Sequence, residues 1–254
     1  MYQNQKQFLI LLVLILVGIE LSASEFDREN RASVLDSKIA SFKVERADME
    51  EALVGIHQLV QSKLLIGFEK ISHREGEKEN NLSLELTNTT VTDILSALCR
   101  LDPRYTYELV EIDLIDVYPV GAKQDKSDLL NLQIKQTSIT GQEDLRNIIY
   151  RLPSYVSELG SYLEEKRQAY SARTGVPYTT LGADMRGNMQ PEVNIQLSNK
   201  SVREILNSLV LYSLRLYRNS RDFSPVSWKY EFVIDPNAST GLGGYPRWGL
   251  LGSE

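Results

Sequence analysis

The sequence has few of the residues on which catalysis, metal binding and disulfide frameworks depend. Its 254 residues include one cysteine, Cys99, and two histidines, His57 and His73. A single cysteine excludes an intramolecular disulfide and a thiolate metal cluster. The histidines are too far apart in sequence, across a predicted helix end and a strand, to form a helical metal pair. We therefore expect no cofactor and no metal site, and we predict that the protein is not an enzyme.

Basic charge and long apolar runs are also scarce. The chain carries 28 Lys and Arg against 34 Asp and Glu, a net charge of -6. An acidic chain has no long-range field that attracts phosphate backbones, so we expect no nucleic-acid partner. A membrane-spanning helix needs about 20 apolar residues in succession. Because no run reaches that length, we expect no stable membrane insertion once the signal described next has been cleaved.

The N-terminus has the pattern of an export signal. Residues 8–19 form an unbroken apolar run of 12 residues, and Ser22 and Ser24 place small side chains at positions -3 and -1 of a cleavage site. Residues 1–24 are therefore predicted to be a secretory signal peptide, which implies a periplasmic or secreted protein. The polar residues 25–40 are predicted to form a mobile leader, within which 34–39 could make a short helix.

An internal repeat dominates the rest of the chain. LELTNTTVTDILSAL (84–98) and IQLSNKSVREILNSL (195–209) share six identical apolar or asparagine positions at a constant spacing of 111 residues. In each segment apolar and polar residues first alternate, as in a half-buried strand, and the apolar residues then recur at the spacing of one helix face. Two weaker units, 42–53 and 129–140, keep the same five-residue step from the last strand residue to the first apolar helix residue.

Each of the four units has a candidate helix cap between its strand and its helix. Three units also have an acid three residues after the cap, as a capping box requires. The third unit lacks that acid, and a later start with Thr140 as the cap and Glu143 as its partner fits equally well. The predicted caps are Asp48, Thr90, Ser138 and Ser201.

The repeat predicts an α+β fold made of two tandem small modules. In each, two capped helices would pack on short mixed or antiparallel sheets. The first module spans 41–120 and the second spans 128–235, with a short polar linker between them. The second carries an insertion at about 153–190. It begins with a predicted helix that has Tyr155, Leu159, Tyr162 and Leu163 on one face.

The order of elements resembles a known family. The predicted order is strand 42–46, helix 48–63, strand 64–71, strand 82–87, helix 90–101 and strands 105–111 and 114–118. With LELTNTTVTDILSAL followed by YTYEL, it resembles the short N-terminal domain of secretins and TonB-dependent receptors. This chain would hold two copies, the second diverged. The resemblance implies a non-enzymatic docking module of the cell envelope whose partner is another envelope protein.

Two other functions remain open from the sequence. The chain could be a periplasmic ligand-binding or hydrolytic protein with its site in the 153–190 insertion, because long irregular loops are often functional. It could also be a soluble accessory of a secretion or pilus machine. The aromatic and charged residues available to a site in the insertion are Tyr170, Arg173, Tyr178, Asp184 and Arg186.

The C-terminal residues 236–254 contain five glycines and two prolines, which predicts a flexible tail without a strand or helix of its own. Its apolar residues would be costly to leave in water. They either pack back on the second module or anchor a partner, since aromatic residues dominate binding hot spots. These candidate partner-binding residues are Tyr245, Trp248, Leu250 and Leu251.

The remaining reactive residues are interpreted as structural. Cys99 lies near the apolar stripe of its helix and is predicted to be a small buried hydrophobe. Acidic residues alternate with apolar ones around a predicted hairpin and are interpreted as solvated strand faces. These acids are Glu108, Glu111, Asp113 and Asp116.

Overall fold

The two predicted modules, 41–120 and 128–235, are called the first and the second repeat. The first repeat folds with the predicted order of elements. A computed structural model of the chain describes residues 34–60, 63–74, 80–142, 144–175, 192–219, 225–234 and 244–252. The first repeat contains β1 (Lys38–Ala47), α1 (Met49–Leu59), β2 (Leu65–Arg74), β3 (Leu82–Thr90), α2 (Val91–Leu101), β4 (Tyr105–Glu111) and β5 (Leu114–Pro119). The α+β class and this seven-element order are confirmed.

The second repeat has more helices. Its elements are β6 (Gln133–Gln142), α3 (Leu145–Tyr150), α4 (Leu152–Tyr155), α5 (Ser157–Thr174), β7 (Glu192–Ser201), α6 (Val202–Asn219), β8 (Trp228–Ile234) and β9 (Gly244–Leu250). Helices α4 and α5 begin the predicted insertion, with Pro153 in the first turn of α4. The single helix predicted here is wrong, because the chain breaks at Val156 and Tyr155 ends α4 while the other three residues lie on α5. The burial of these residues is confirmed: Leu159 is buried, and Tyr155, Tyr162 and Leu163 pack around the same core.

The two repeats are joined through one sheet. Its strand order is β4-β5-β2-β8-β9, and the parallel pairing of β2 with β8 connects the first repeat to the second. Two further sheets have two strands each, β1 with β3 and β6 with β7, both antiparallel. An arrangement of two modules that each keep their own sheets is therefore not confirmed, since the largest sheet draws strands from both.

Helices cover both faces of the five-stranded sheet. On one face, α1 and α2 lie between it and the β1–β3 sheet; on the other, α6 lies between it and the β6–β7 sheet. Side chains of β2 alternate accordingly: Leu65 joins the core of the second repeat, while Ile66 and Phe68 join the core of the first. A strand buried on both faces reads as a continuous apolar run, which explains the sequence LLIGF at 64–68.

Backbone geometry repeats along with the sequence. Among the described residues, three that are not glycine have a positive φ: Arg46 at 55°, Asn88 at 49° and Asn199 at 52°. Each stands two positions after the last alternating strand residue of its unit. Side chains other than Asn and Asp rarely adopt this conformation, so its recurrence supports three of the four units. In the third unit β6 continues instead to Gln142.

Three of the four predicted helix caps are confirmed. Asp48 and Thr90 accept the backbone N–H of the residue three positions on, and Glu51 and Asp93 return the bond. Ser201 makes the same reciprocal pair with Glu204. Ser138 is wrong, as is the alternative Thr140, because both lie inside β6.

The third helix starts later than either alternative. Asp144 caps α3 by accepting the N–H of Arg146 at 2.8 Å. Pairing with β7 keeps the strand extended through Gln142, so the sequence positions that form caps in the other units stay in the ladder here. Glu143 lies outside the described residues.

Removing a cap tests this local account. We expect Thr90→Ala to lower the free energy of unfolding by about 1 kcal/mol, because the N–H of Asp93 loses its acceptor at 3.1 Å. Thr87→Ala is the matched control, since Thr87 is exposed on the same strand. Urea unfolding of both variants measures the difference. Equal values for Thr90→Ala and Thr87→Ala would contradict the role of the cap.

The predicted leader and tail both need correction. Residues 34–40 belong to the fold: Val34–Asp36 form a 3-10 turn, Leu35 is buried in the first core, and β1 begins at Lys38. The tail was predicted to have no strand, but Gly244–Leu250 form β9, which pairs antiparallel with β8. The edge of β8 supplies the hydrogen bonds that an isolated glycine-rich segment would lack. Residues 25–33 lie outside the described part.

Candidate functional site

Charged side chains are buried where α6 of the second repeat packs on the five-stranded sheet. Glu69 on β2 and Asp116 on β5 are 6% and 0% exposed, and they face Arg203 and Asn207, one turn apart on α6. We call the following six residues the charge cluster: Glu69, Glu108, Asp116, Lys123, Asp128 and Arg203.

Arg203 is the central cation of the cluster. Its Nη2 pairs with Glu69 Oε2 and lies 3.5 Å from Asp128 Oδ2. Its guanidinium carbon lies 5.4 Å from the centre of the Tyr118 ring, a cation–π distance. Asp128 is the first residue after the linker, so the Arg203 side chain connects the first repeat, α6 and the start of the second repeat.

A chain of hydrogen bonds continues across the interface. Asn207 Nδ2 donates to Asp116 Oδ2 at 3.0 Å, and Trp228 Nε1 donates to Asn207 Oδ1 at 2.7 Å. The two bonds fix the orientation of the Asn207 amide. They connect β5 of the first repeat with α6 and β8 of the second.

The outer rim of the cluster reaches solvent. Lys123 pairs with Glu108, lies 3.8 Å from Asp116 Oδ2 and covers the ring of Tyr118 at 4.6 Å. Tyr118 donates to Glu108 Oε2 at 3.0 Å. The side chain of Glu108 is 43% exposed and that of Asp116 is 1% exposed, so the cluster runs from solvent into the interior.

Burial raises the pKa of the interior carboxyls. Desolvation raises the pKa of Glu69 to about 7; Arg203 opposes the shift and Asp128 reinforces it. Desolvation also raises the pKa of Asp116, against the hydrogen bond from Asn207 and the charges of Arg203 and Lys123. Of the two, Glu69 therefore exchanges its proton near neutral pH.

The opposite face of the sheet carries the reverse arrangement of charge. Lys70 on β2 lies 3.5 Å from Asp48 Oδ2 and 3.6 Å from Glu50 Oε2, and Lys229 on β8 lies 2.6 Å from Glu50 Oε1. Thus the sheet is basic where it meets the acidic start of α1 and acidic where it meets Arg203. This pattern opposes docking of either helix layer on the wrong face.

The interpretation of the acidic run as solvated is wrong for Asp116. Strand β5 is an inner strand, so Asp116 faces α6 and not water. Glu108 belongs to the rim, and Glu111 and Asp113 are partly exposed. The available sequence signal was LIDVYP, in which a single acid interrupts a run that is apolar on both faces.

The other candidate residues lie apart from the cluster. Burial raises the pKa of Cys99 to about 11, with a smaller contribution from Asp102, so its thiol is protonated at neutral pH and is a poor nucleophile. The Nδ1 of His57 lies 3.0 Å from the carbonyl oxygen of Leu64, and burial lowers its pKa. The side chain of His73 lies outside the described part.

The predicted partner-binding residues of the tail pack inward instead. Trp248 is buried and stacks on Tyr230 with ring centres 5.9 Å apart. Leu250 packs against the second core and Leu251 against the first. Of the two alternatives for the tail, packing on the fold is the one observed. The side chain of Tyr245 lies outside the description.

The site proposed for the insertion is not covered by the structure. Tyr178, Asp184 and Arg186 lie outside the described residues, as do the side chains of Tyr170 and Arg173. Within the ranges described, no group of three or more side chains suited to a metal ion is assembled. None of the helices in the described part is long and apolar enough to cross a membrane.

Strand β4 is an open edge of the five-stranded sheet. The N–H of Val120 donates to the carbonyl of Arg104 at 2.8 Å, which makes Glu108 a hydrogen-bonded position in the β4–β5 register. In an antiparallel ladder such positions alternate. The N–H and C=O groups of Tyr107 and Leu109 therefore point away from β5.

The other edge of that sheet, β9, lacks one of its outward backbone N–H groups. The N–H of Leu251 donates to Ser227 O at 3.1 Å, so Pro246 occupies a position that points outward. Proline has no N–H and blunts an edge strand against pairing. Edge β4 is therefore better suited than β9 to accept another strand.

Exposed apolar side chains concentrate near β4. Among the described residues four large apolar side chains are exposed, and three of them belong to the segments around this edge: Leu101 at 45%, Leu109 at 53% and Val120 at 64%. The two-stranded sheets also have open edges, but none of these four residues lies on them. Comparison of the chain with protein-family models, with curated proteins and with solved structures yields no match.

Proposed function

We propose that the chain is an exported, non-enzymatic docking protein of the cell envelope that binds an extended segment of a partner protein along β4. The open β4 edge carries the proposal. It combines outward backbone groups at Tyr107 and Leu109 with exposed apolar side chains. Strand addition needs these two features, since main-chain bonds give affinity and side-chain contacts give selectivity.

Two observations from the sequence support the cellular setting. Residues 1–24 have the form of a signal peptide. The first repeat also resembles, in element order and in its helix motif, the short N-terminal docking domain of secretins and TonB-dependent receptors. A docking role in the envelope is consistent with both.

A proline at Leu109 tests the proposal. Leu109→Pro removes one outward donor but no bond of the β4–β5 ladder, so the fold should persist. We expect it to lower partner affinity at least about tenfold, the effect of losing one interface hydrogen bond. Leu109→Thr, the matched control, keeps the N–H and should lose less. The partner is first identified by a photo-crosslinker at position 109 of the exported chain, which is expected to begin at Glu25.

Binding of the purified partner to the three proteins then decides the matter. Equal affinity for wild type and Leu109→Pro would overturn strand addition at β4. A crosslink only to a second copy of this chain would make β4 a self-association edge instead of a docking site.

A further inference from the structure

The charge cluster carries more negative than positive charge. Four carboxylates, from Glu69, Glu108, Asp116 and Asp128, face two cations, Arg203 and Lys123. The side chains of Glu69, Asp116, Asp128 and Arg203 are 8%, 1%, 10% and 5% exposed, so solvent does little to offset the excess. A buried carboxylate whose negative charge is not balanced takes up a proton more readily than it stays ionised.

Unpartnered atoms show where such a proton has a role. Asp128 Oδ2 and Asp116 Oδ1 are buried acceptors without a hydrogen-bond partner. The carboxyls of Glu69 and Asp128 meet at one nitrogen, because Arg203 Nη2 pairs with Glu69 Oε2 and lies 3.5 Å from Asp128 Oδ2. Interaction with Asp128 is also one of the causes that raise the pKa of Glu69. A protonated Glu69 can therefore donate to Asp128, which satisfies a buried acceptor and removes one negative charge.

The cluster lies across the contact between the repeats. Glu69 and Asp116 come from β2 and β5 of the first repeat, Arg203 comes from α6 of the second, and Asp128 comes from the start of the second. Its ionisation state therefore acts on the packing of one repeat against the other.

We propose that the charge cluster is a proton-operated clasp: a proton shared by Glu69 and Asp128 holds α6 against the central sheet, and loss of that proton weakens the contact between the repeats. The clasp does not depend on the docking function proposed for β4. The contact between the two repeats is therefore most stable at mildly acidic pH.

The direction in which stability changes with pH follows from the pKa of Glu69 and from the groups around it. Its pKa is about 7 in the folded protein against an ordinary value of 4.5, so the folded state holds more protons between these values and stability falls as pH rises from about 4.5 to 7. Tyr230, also nearby, stays neutral because burial raises its pKa. The charged and titratable groups that interact with Glu69 are Arg203, Asp128 and Tyr230. Around these lie Tyr162, Asp116 and Tyr118, with Glu108 and Lys123 at the rim.

Urea unfolding of wild type and Glu69→Gln between pH 5 and pH 8 tests the clasp. Over that range the unfolding equilibrium constant of the wild type should rise on the order of 50-fold relative to the variant. The lowered pKa of His57 makes stability rise with pH, the opposite of the effect of Glu69. Because both proteins contain His57, its contribution cancels in the comparison. Glu85→Gln is the matched control, because Glu85 is exposed on β3. Parallel pH profiles for wild type and Glu69→Gln would overturn the proposal.

Hydrogen exchange in the wild type locates the effect and does not depend on the variant. After correction for intrinsic exchange, amides of β2 and β8 should lose more protection from pH 5 to pH 8 than amides of the β1–β3 sheet. Equal loss in both places would show general destabilisation and overturn a clasp between the repeats. No loss at β2 and β8 would overturn it as well.

Discussion

Replacing Arg203 with leucine is expected to lower the free energy of unfolding by about 3–5 kcal/mol at pH 8. The substitution removes the most deeply buried cation of the charge cluster and leaves Glu69 and Asp128 without a counter-charge. A buried charge that loses its partner costs far more than the pair contributed. At pH 5 the loss should be smaller, because Glu69 is then protonated and leaves one buried negative charge fewer.

The same helix provides the control for Arg203. Arg215 is exposed on α6, so Arg215→Leu should change the free energy of unfolding by less than about 0.5 kcal/mol. Urea unfolding at pH 5 and pH 8 compares the two variants. If Arg203→Leu is no more destabilising than Arg215→Leu, the charge cluster does not join the repeats.

Gly67→Ala is expected to destabilise the protein by about 3 kcal/mol. Gly67 lies on β2 between Asp116 on β5 and Trp228 on β8, in register with both. A Cβ at this position would collide with Asp116 Oδ1 and would lie 2.6 Å from Trp228 Cζ2. Asn207 donates to Asp116 and accepts from Trp228, so neither side chain can move away without losing a buried hydrogen bond.

A second glycine separates crowding from a general effect of glycine replacement. Gly55 lies in α1, and a Cβ there would meet only Phe42 at an ordinary 3.6 Å. Gly55→Ala should therefore raise the free energy of unfolding by roughly 0.5–1 kcal/mol, because alanine favours the helix. Thermal and urea unfolding give both values. A mild effect of Gly67→Ala would mean that Trp228 and Asp116 do not press on β2.

Local features of the fold could be predicted from the sequence because neighbouring residues determine them. Alternating apolar residues followed by a cap and a helical stripe identified β3 with α2 and β7 with α6, and capping boxes at Asp48, Thr90 and Ser201 placed the helix starts. The cap predicted for the third unit was wrong because β6 stays paired with β7 beyond that position. No local residue signals where such pairing ends.

The joining of the repeats could not be predicted, since it depends on pairing over long distances in the chain. The N–H of Ile66 donates to Ser227 Oγ at 2.9 Å across 161 residues. Local periodicity identifies a strand but not its neighbours. The burial of Asp116 follows from that pairing, so sequence reasoning interpreted this acid as solvated and missed the charge cluster.

The tail shows how composition can mislead. Five glycines and two prolines disfavour a strand that stands alone. Beside β8, however, Gly249 fits against Tyr150, where a Cβ would lie only 2.9 Å from the ring. A residue type that disfavours structure in isolation can be the one that a close approach requires.

Pulsed hydrogen exchange at increasing urea concentrations tests most directly whether the two repeats form one structure through β2 and β8. If they do, amides of β2, β5 and β8 lose protection together at a single urea concentration. If β8 and α6 lose protection at lower urea while β2 and β5 stay protected, the repeats are independent modules and the shared sheet is contradicted.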